Sequence, residues 1–155
     1  MDVKYLNLYN LFVKLTTNKN LYQSLSKQDT FSDRLTLFLF HFAFFLKVFK
    51  KNENTNILQE IYDFIFRQIE LSIREIGYGD QSINKKMKDY INIFHGIVST
   101  IHFWEKMDYN KRKEEISIYL KDFNEKKYLI EYFDQFRVNL SKKTLNSFLK
   151  SVSNH

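Results

Sequence analysis

Apolar side chains recur along this chain at the three-to-four-residue spacing of buried helix faces. Tyr5, Leu8, Tyr9, Phe12 and Leu15 predict a helix over residues 2–16, with Asp2 as its cap. A short helix over 18–26 and a turn over 27–30 follow. Thr30, with Asp33 three residues on, has the spacing of a capping box for a helix over 31–51. Between Arg34 and Lys47 that helix is apolar almost all round, which predicts a position at the centre of a bundle. The other reading is that part of it faces an apolar client or a membrane surface. After a polar break at 52–56, Thr55 is the predicted cap of a helix to Ile76. Its apolar stripe is Ile57, Leu58, Ile61, Phe64, Ile65, Ile69, Ile73 and Ile76. Asp80 or Ser82 is the predicted cap of the next helix, over 83–106, with Met87, Tyr90, Ile91, Phe94, Val98 and Ile101 facing inward. Weaker patterns predict helices over 111–123, 126–139 and 141–152. Nothing alternates as a strand. The reading is an all-α, single-domain bundle of about seven or eight helices over residues 1–155, with 106–155 as C-terminal helices.

One turn stands apart from this regular pattern. The chain has three glycines and no proline, and Gly77, Gly79 and Gly96 all fall between Leu71 and Gly96. Gly77 supplies the left-handed residue that ends a helix. Arg74, Glu75, Asp80, Lys85 and Lys86 crowd around it, and the two lysines open a helix where the macrodipole disfavours cations. Bridges Arg74–Asp80 or Glu75–Lys85 could simply close the hairpin; a charged surface for a protein partner is the functional reading, and the two are compatible. Gly96, inside a helix, costs about 1 kcal/mol against Ala, which close approach of another helix would offset.

Composition narrows the function classes. Hydrophobic residues make up 44% of the 155, enough for a folded core, and aromatics make up 17%, so that core is rich in rings. The net charge of +6 favours anionic surfaces such as RNA, ribosome or acidic lipid. Without cysteine there are no disulfides, thiol nucleophiles or thiolate metal sites. The longest apolar run, over 35–46, contains His41 and falls short of the roughly twenty residues of a spanning helix. With no signal peptide visible at the start, the chain is expected to be soluble and intracellular.

His95, His102 and Glu105 share roughly one helix face and are the candidates for a helical metal-dependent enzyme, with His41 as a fourth ligand. The Glu-x-x-His pairs of carboxylate-bridged helical sites are missing, so no metal or cofactor is assigned. No Walker loop, dinucleotide fingerprint or nucleophile elbow is present. The runs Asn84-Lys85-Lys86-Met87-Lys88 and Lys111-Arg112-Lys113 keep a ribosome- or RNA-binding module open as an alternative, without a recognition module for specific nucleic acid.

At the glycine turn the chain resembles the ubiquinol–cytochrome c chaperones, assembly factors of complex III, over roughly residues 8–105. That family carries L-R-E-hydrophobic-G-V-G-D, then S-V, a basic pair, Met, and later F-Y-G-R. Here the stretch reads Ile73-Arg74-Glu75-Ile76-Gly77-Tyr78-Gly79-Asp80, then Ser82-Ile83, Lys85-Lys86-Met87 and Phe94-His95-Gly96. Asp29-Thr30 through Arg34 and His41 resembles the family's D-T-x-x-G-R-F-x(6)-H segment, and Leu21-Tyr22 sits at its aromatic pair. The departures are Asp33 for glycine, Ile73 for leucine, Tyr78 for a small apolar residue and Ile97 for arginine.

The resemblance implies a non-enzymatic chaperone, a bacterial-type member, that holds newly made cytochrome b. The ribosome and a small partner protein are implied as further contacts, together with peripheral contact at the inner membrane. On this reading Arg34, His41, Arg74, Glu75, Gly77, Gly79, Asp80, Lys85, Lys86, Met87, Phe94 and Gly96 form, shape or back the client-facing surface. Arg34 and His41 would back it from the apolar helix, either as partners of the charged turn or as part of the client groove.

Overall fold

Helix α3, Phe31–Phe49, is enclosed by protein over most of its circumference. Every residue from Leu37 to Phe45 is buried, so this part of the helix leaves no exposed apolar stripe. The computed structural model describes residues 4–22, 31–121 and 123–153. The Asp2 cap, the turn over 27–30 and the Thr30 cap lie outside them.

Around α3 the chain arranges α1 (Leu6–Thr16), the single turn α2 (Lys19–Tyr22), α4 (Thr55–Glu75), α5 (Asp80–Ile101), α6 (Tyr109–Tyr119), α7 (Lys126–Ser141) and α8 (Leu145–Ser153). No strand occurs among the described residues, so the all-α reading holds. Helices α1, α5 and α7 pack directly on α3; α8 packs on α1, α6 on α7, and α4 on α5. None of the helices is long and apolar enough to cross a membrane, among the described residues.

Rings join the layers. Phe42 stacks on Phe94 of α5 with centroids 5.2 Å apart, and Phe44 stacks on Phe133 of α7 at 5.5 Å. Phe12 of α1 meets Phe38, Phe42 and Phe45. Each fully buried Phe contributes roughly 1.5–3 kcal/mol relative to exposure, so this ladder is a large part of what holds the layers together.

Several helix ends differ from those predicted. Thr55 is not a cap: it is the first residue of α4, and its hydroxyl donates back to the Asn52 carbonyl within a 3-10 turn. Neither Asp80 nor Ser82 caps α5, which starts at Asp80 after an extended Gly79. Helix α5 ends at Ile101 rather than Lys106, because a 3-10 turn at Trp104–Lys106 swings Trp104 into the core, where it is fully buried. Asp108 is a true cap, accepting from the Lys111 amide at 2.8 Å. Inside α5, Ile83 and Ile97 are buried while Met87, Tyr90, Ile91 and Val98 are half-buried. Phe94 and Ile101 are buried and the four half-buried residues pack against the core, so the predicted inward face holds; Ile83 and Ile97 widen it.

Candidate functional site

Ile73 and Ile83 are both buried, and all nine residues between them are exposed. The α4–α5 connection is therefore a tip that stands off the core and is anchored by one isoleucine at each end. Helix α4 tightens as it ends, with the Ile76 amide donating to Ile73 and the Gly77 amide to Arg74. Gly77 then takes φ +103°, the only positive φ among the described residues. This bears out its reading as the helix-ending left-handed residue, because any side chain here would be strained. Gly79 leads in with an extended conformation, and its carbonyl receives the first α5 bond, from Ile83.

Arg74 clasps the turn. Its Nη1 donates to Asp80 Oδ1 at 2.9 Å, and its Nη2 reaches Glu70 Oε1 at 3.5 Å. No ion pair joins Glu75 to Lys85; both are exposed. The Lys86 ammonium lies 4.5 Å from the Tyr78 ring centroid, so Tyr78 is held by its face while its edge meets solvent. Ile76 is 50% exposed and Tyr78 42%, with Leu71 also exposed one turn earlier in α4. The tip thus offers apolar groups among both signs of charge, the composition of a protein-binding patch rather than of a purely solvated loop.

The remaining predicted positions serve other places. His41 does not back the turn: it is fully buried against α7, donating from Nδ1 to the Leu37 carbonyl and accepting at Nε2 from the Tyr132 hydroxyl. The Leu37 carbonyl can only accept, which fixes the neutral tautomer. Burial, partly offset by the Leu37 bond, lowers its pKa to about 4. Phe94 belongs to the ring ladder, and Met87 packs half-buried on the core. A Cβ built on Gly96 would overlap the Tyr119 hydroxyl of α6, so the close approach predicted there is real. Arg34 is exposed beside an apolar cleft of about 220 Å³ between α1, α3 and α4. The α4 wall of that cleft includes Ile69 and Ser72, just before Arg74, which puts Arg34 near the base of the tip.

His95, His102 and Glu105 are not gathered. His95 meets the Tyr62 hydroxyl at 3.2 Å, whereas Glu105 pairs with Lys47 at 3.0 Å and with Arg137 at 3.7 Å. The run at 111–113 is also committed elsewhere: Lys111 pairs with Glu115, and Arg112 donates twice to the Trp104 carbonyl and lies over its indole ring. Trp104 Nε1 donates to Asp134, which Arg137 also holds. Burial alone would raise the Asp134 pKa; the Trp104, Arg137 and Arg112 donors outweigh it and lower it. The sequence reading missed this cluster. Its signal was the lone Trp of the chain, with two of only five arginines close in sequence to it and to Asp134.

These features define an all-α domain built on one aromatic helix, with a charged, partly apolar turn held away from the core. The chain belongs to the ubiquinol–cytochrome c chaperone family, whose model matches residues 23–102, slightly over half of the chain. The match takes in α3, α4, the exposed tip and α5, and the family places the chain among chaperones of the complex III assembly type. No curated protein and no solved structure matches the chain.

Proposed function

We propose that this chaperone holds newly made cytochrome b during assembly of ubiquinol–cytochrome c reductase, without catalysing a reaction. It would act from the cytoplasm, beside the inner membrane and near the ribosome, with the tip over 74–86 as the client contact. The observation that carries the reading is the pairing of Ile76 and Tyr78, both exposed, with the Arg74–Asp80 clasp inside the region matched by the family model. A transmembrane client on its way into an assembly presents apolar segments flanked by charge, and this tip complements both. On this reading the aromatic helix, buried over residues 37–45, serves as the support of the tip.

The test is the b-type heme spectrum and cytochrome b level of membranes from a strain lacking the gene, with the terminal oxidase as internal control. Cytochrome b should fall, the oxidase should not, and the wild-type gene should restore it. Restoration should fail with Ile76→Ser/Tyr78→Ser. Unchanged cytochrome b in the deletion strain would overturn the assignment of the client.

A further inference from the structure

The two ends of the described chain come together on one side of the bundle, where α8 packs on α1. From residue 3 to 28 the sequence has no Asp or Glu, and from residue 135 to 155 it has none again. Helices α1 and α8, which lie within these two acid-free stretches, thus share a face. Lys14 and Lys143 line one shallow groove along the α1–α8 seam, and Lys4 and Lys150 line another, with Asn7 common to both. No acidic side chain lines either groove. Lys14, Lys142, Lys143 and Lys150 are all exposed. Glu60 approaches α1 at Tyr5, and there the Tyr5 hydroxyl donates to it at 2.7 Å, on the flank that faces α4.

We propose that this α1–α8 face docks the protein on an anionic phospholipid bilayer. The face offers separated ammonium groups, Lys14 and Lys150 on the two helices and Lys142 and Lys143 just before α8, with half-buried Leu11 and Leu149 among the groove-lining residues. A plane of anionic headgroups asks only for such point charges, and each lysine near it adds attraction. Single-stranded RNA asks in addition for aromatic or guanidinium platforms on which bases stack. Neither helix carries an arginine, and among the described residues the exposed rings Tyr78, Phe103, Tyr109 and Tyr128 all lie on other elements. This inference is independent of the identity of the client, because no tip residue takes part.

The experiment is flotation of the full chain with phosphatidylcholine vesicles, with and without phosphatidylglycerol. Wild type should float only with the mixed vesicles and should be released by high salt. Lys14→Glu/Lys143→Glu/Lys150→Glu should weaken vesicle binding on the order of a hundredfold. A second variant, Lys113→Glu/Lys121→Glu/Lys127→Glu, changes net charge equally at exposed sites on other elements and should bind like wild type. Failure of wild type to bind the mixed vesicles would overturn the proposal, as would equal losses in both variants. Tighter binding to a single-stranded RNA at the same salt, lost only in the first variant, would reassign the face to nucleic acid. None of these outcomes bears on cytochrome b, so failure here leaves the client reading standing.

Discussion

The Tyr132 hydroxyl donates to His41 Nε2 at 2.6 Å, joining α7 to the central helix through a polar bond inside an otherwise apolar layer. Phe133 and Phe136 enclose the same imidazole, each with its ring centroid 5.0 Å away. A protonated ring there would lose its acceptor and face burial as a cation.

Stability should therefore depend on pH through His41. Its pKa is about 4 in the fold and near 6.5 when unfolded, so between these values the unfolded chain takes up a proton that the native chain refuses. The contribution is complete above about 6.5 and is lost as pH falls through that window, amounting to about 3 kcal/mol. Denaturant melts between pH 7 and 4 should show the decline. In His41→Leu/Tyr132→Phe it should be much flatter, whereas His41→Leu alone leaves a hydroxyl unpaired and costs about 1–3 kcal/mol at neutral pH.

Gly96→Ala sets a helix-propensity gain of about 1 kcal/mol against displacement of the Tyr119 ring. The substitution should be better tolerated in a Tyr119→Phe background, where the overlapping hydroxyl is gone. A double-mutant cycle should return a coupling of about 1 kcal/mol. Additive effects would mean that Tyr119 moves aside freely.

The two glycines of the turn should respond oppositely. Gly77→Ala forces a side chain into positive φ and should cost about 1–2 kcal/mol. Gly79→Ala meets open space with φ −73°. Its lower unfolded-state entropy and poorer capping nearly cancel, so the melting midpoint should scarcely move.

Asp80→Ala separates binding from folding. The Asp80 side chain is 87% exposed, and exposed ion pairs contribute little to stability. The variant should melt like wild type and yet fail to restore cytochrome b. A variant that unfolds would show that the clasp serves only to hold the hairpin.

Asp134→Ala should destabilise by about 1–3 kcal/mol, because the buried Trp104 N–H loses its acceptor. Arg112 and Arg137 lose a shared partner as well. Asp134→Asn keeps an acceptor and should recover part of the loss.

Much of this architecture was legible from periodicity. The all-round apolarity of residues 35–46 marked the central helix, and Gly77 marked the end of α4. The caps at Thr55 and Asp80 were misplaced because side-chain type cannot show whether a hydroxyl or carboxylate turns toward its own helix or back along the chain. The inward face of α5 was read correctly but too narrowly, because one sequence stripe cannot report that further elements also cover Ile83 and Ile97. His41 illustrates a different limit: the bond that explains it comes from a residue 91 positions away. The exposed tip was singled out correctly as the irregular stretch, but its protrusion depends on Ile73 and Ile83, which look like any other isoleucines in the sequence.

Because the only buried residues flanking the tip are those two isoleucines, its nine exposed residues make up an exchangeable cassette. Apart from Gly77, each can drift without disturbing the folded domain, so affinity can be retuned as a client changes. A cassette transplanted between members of the family, joined at the positions of Ile73 and Ile83, would carry client preference with it and leave the host scaffold's melting behaviour in place.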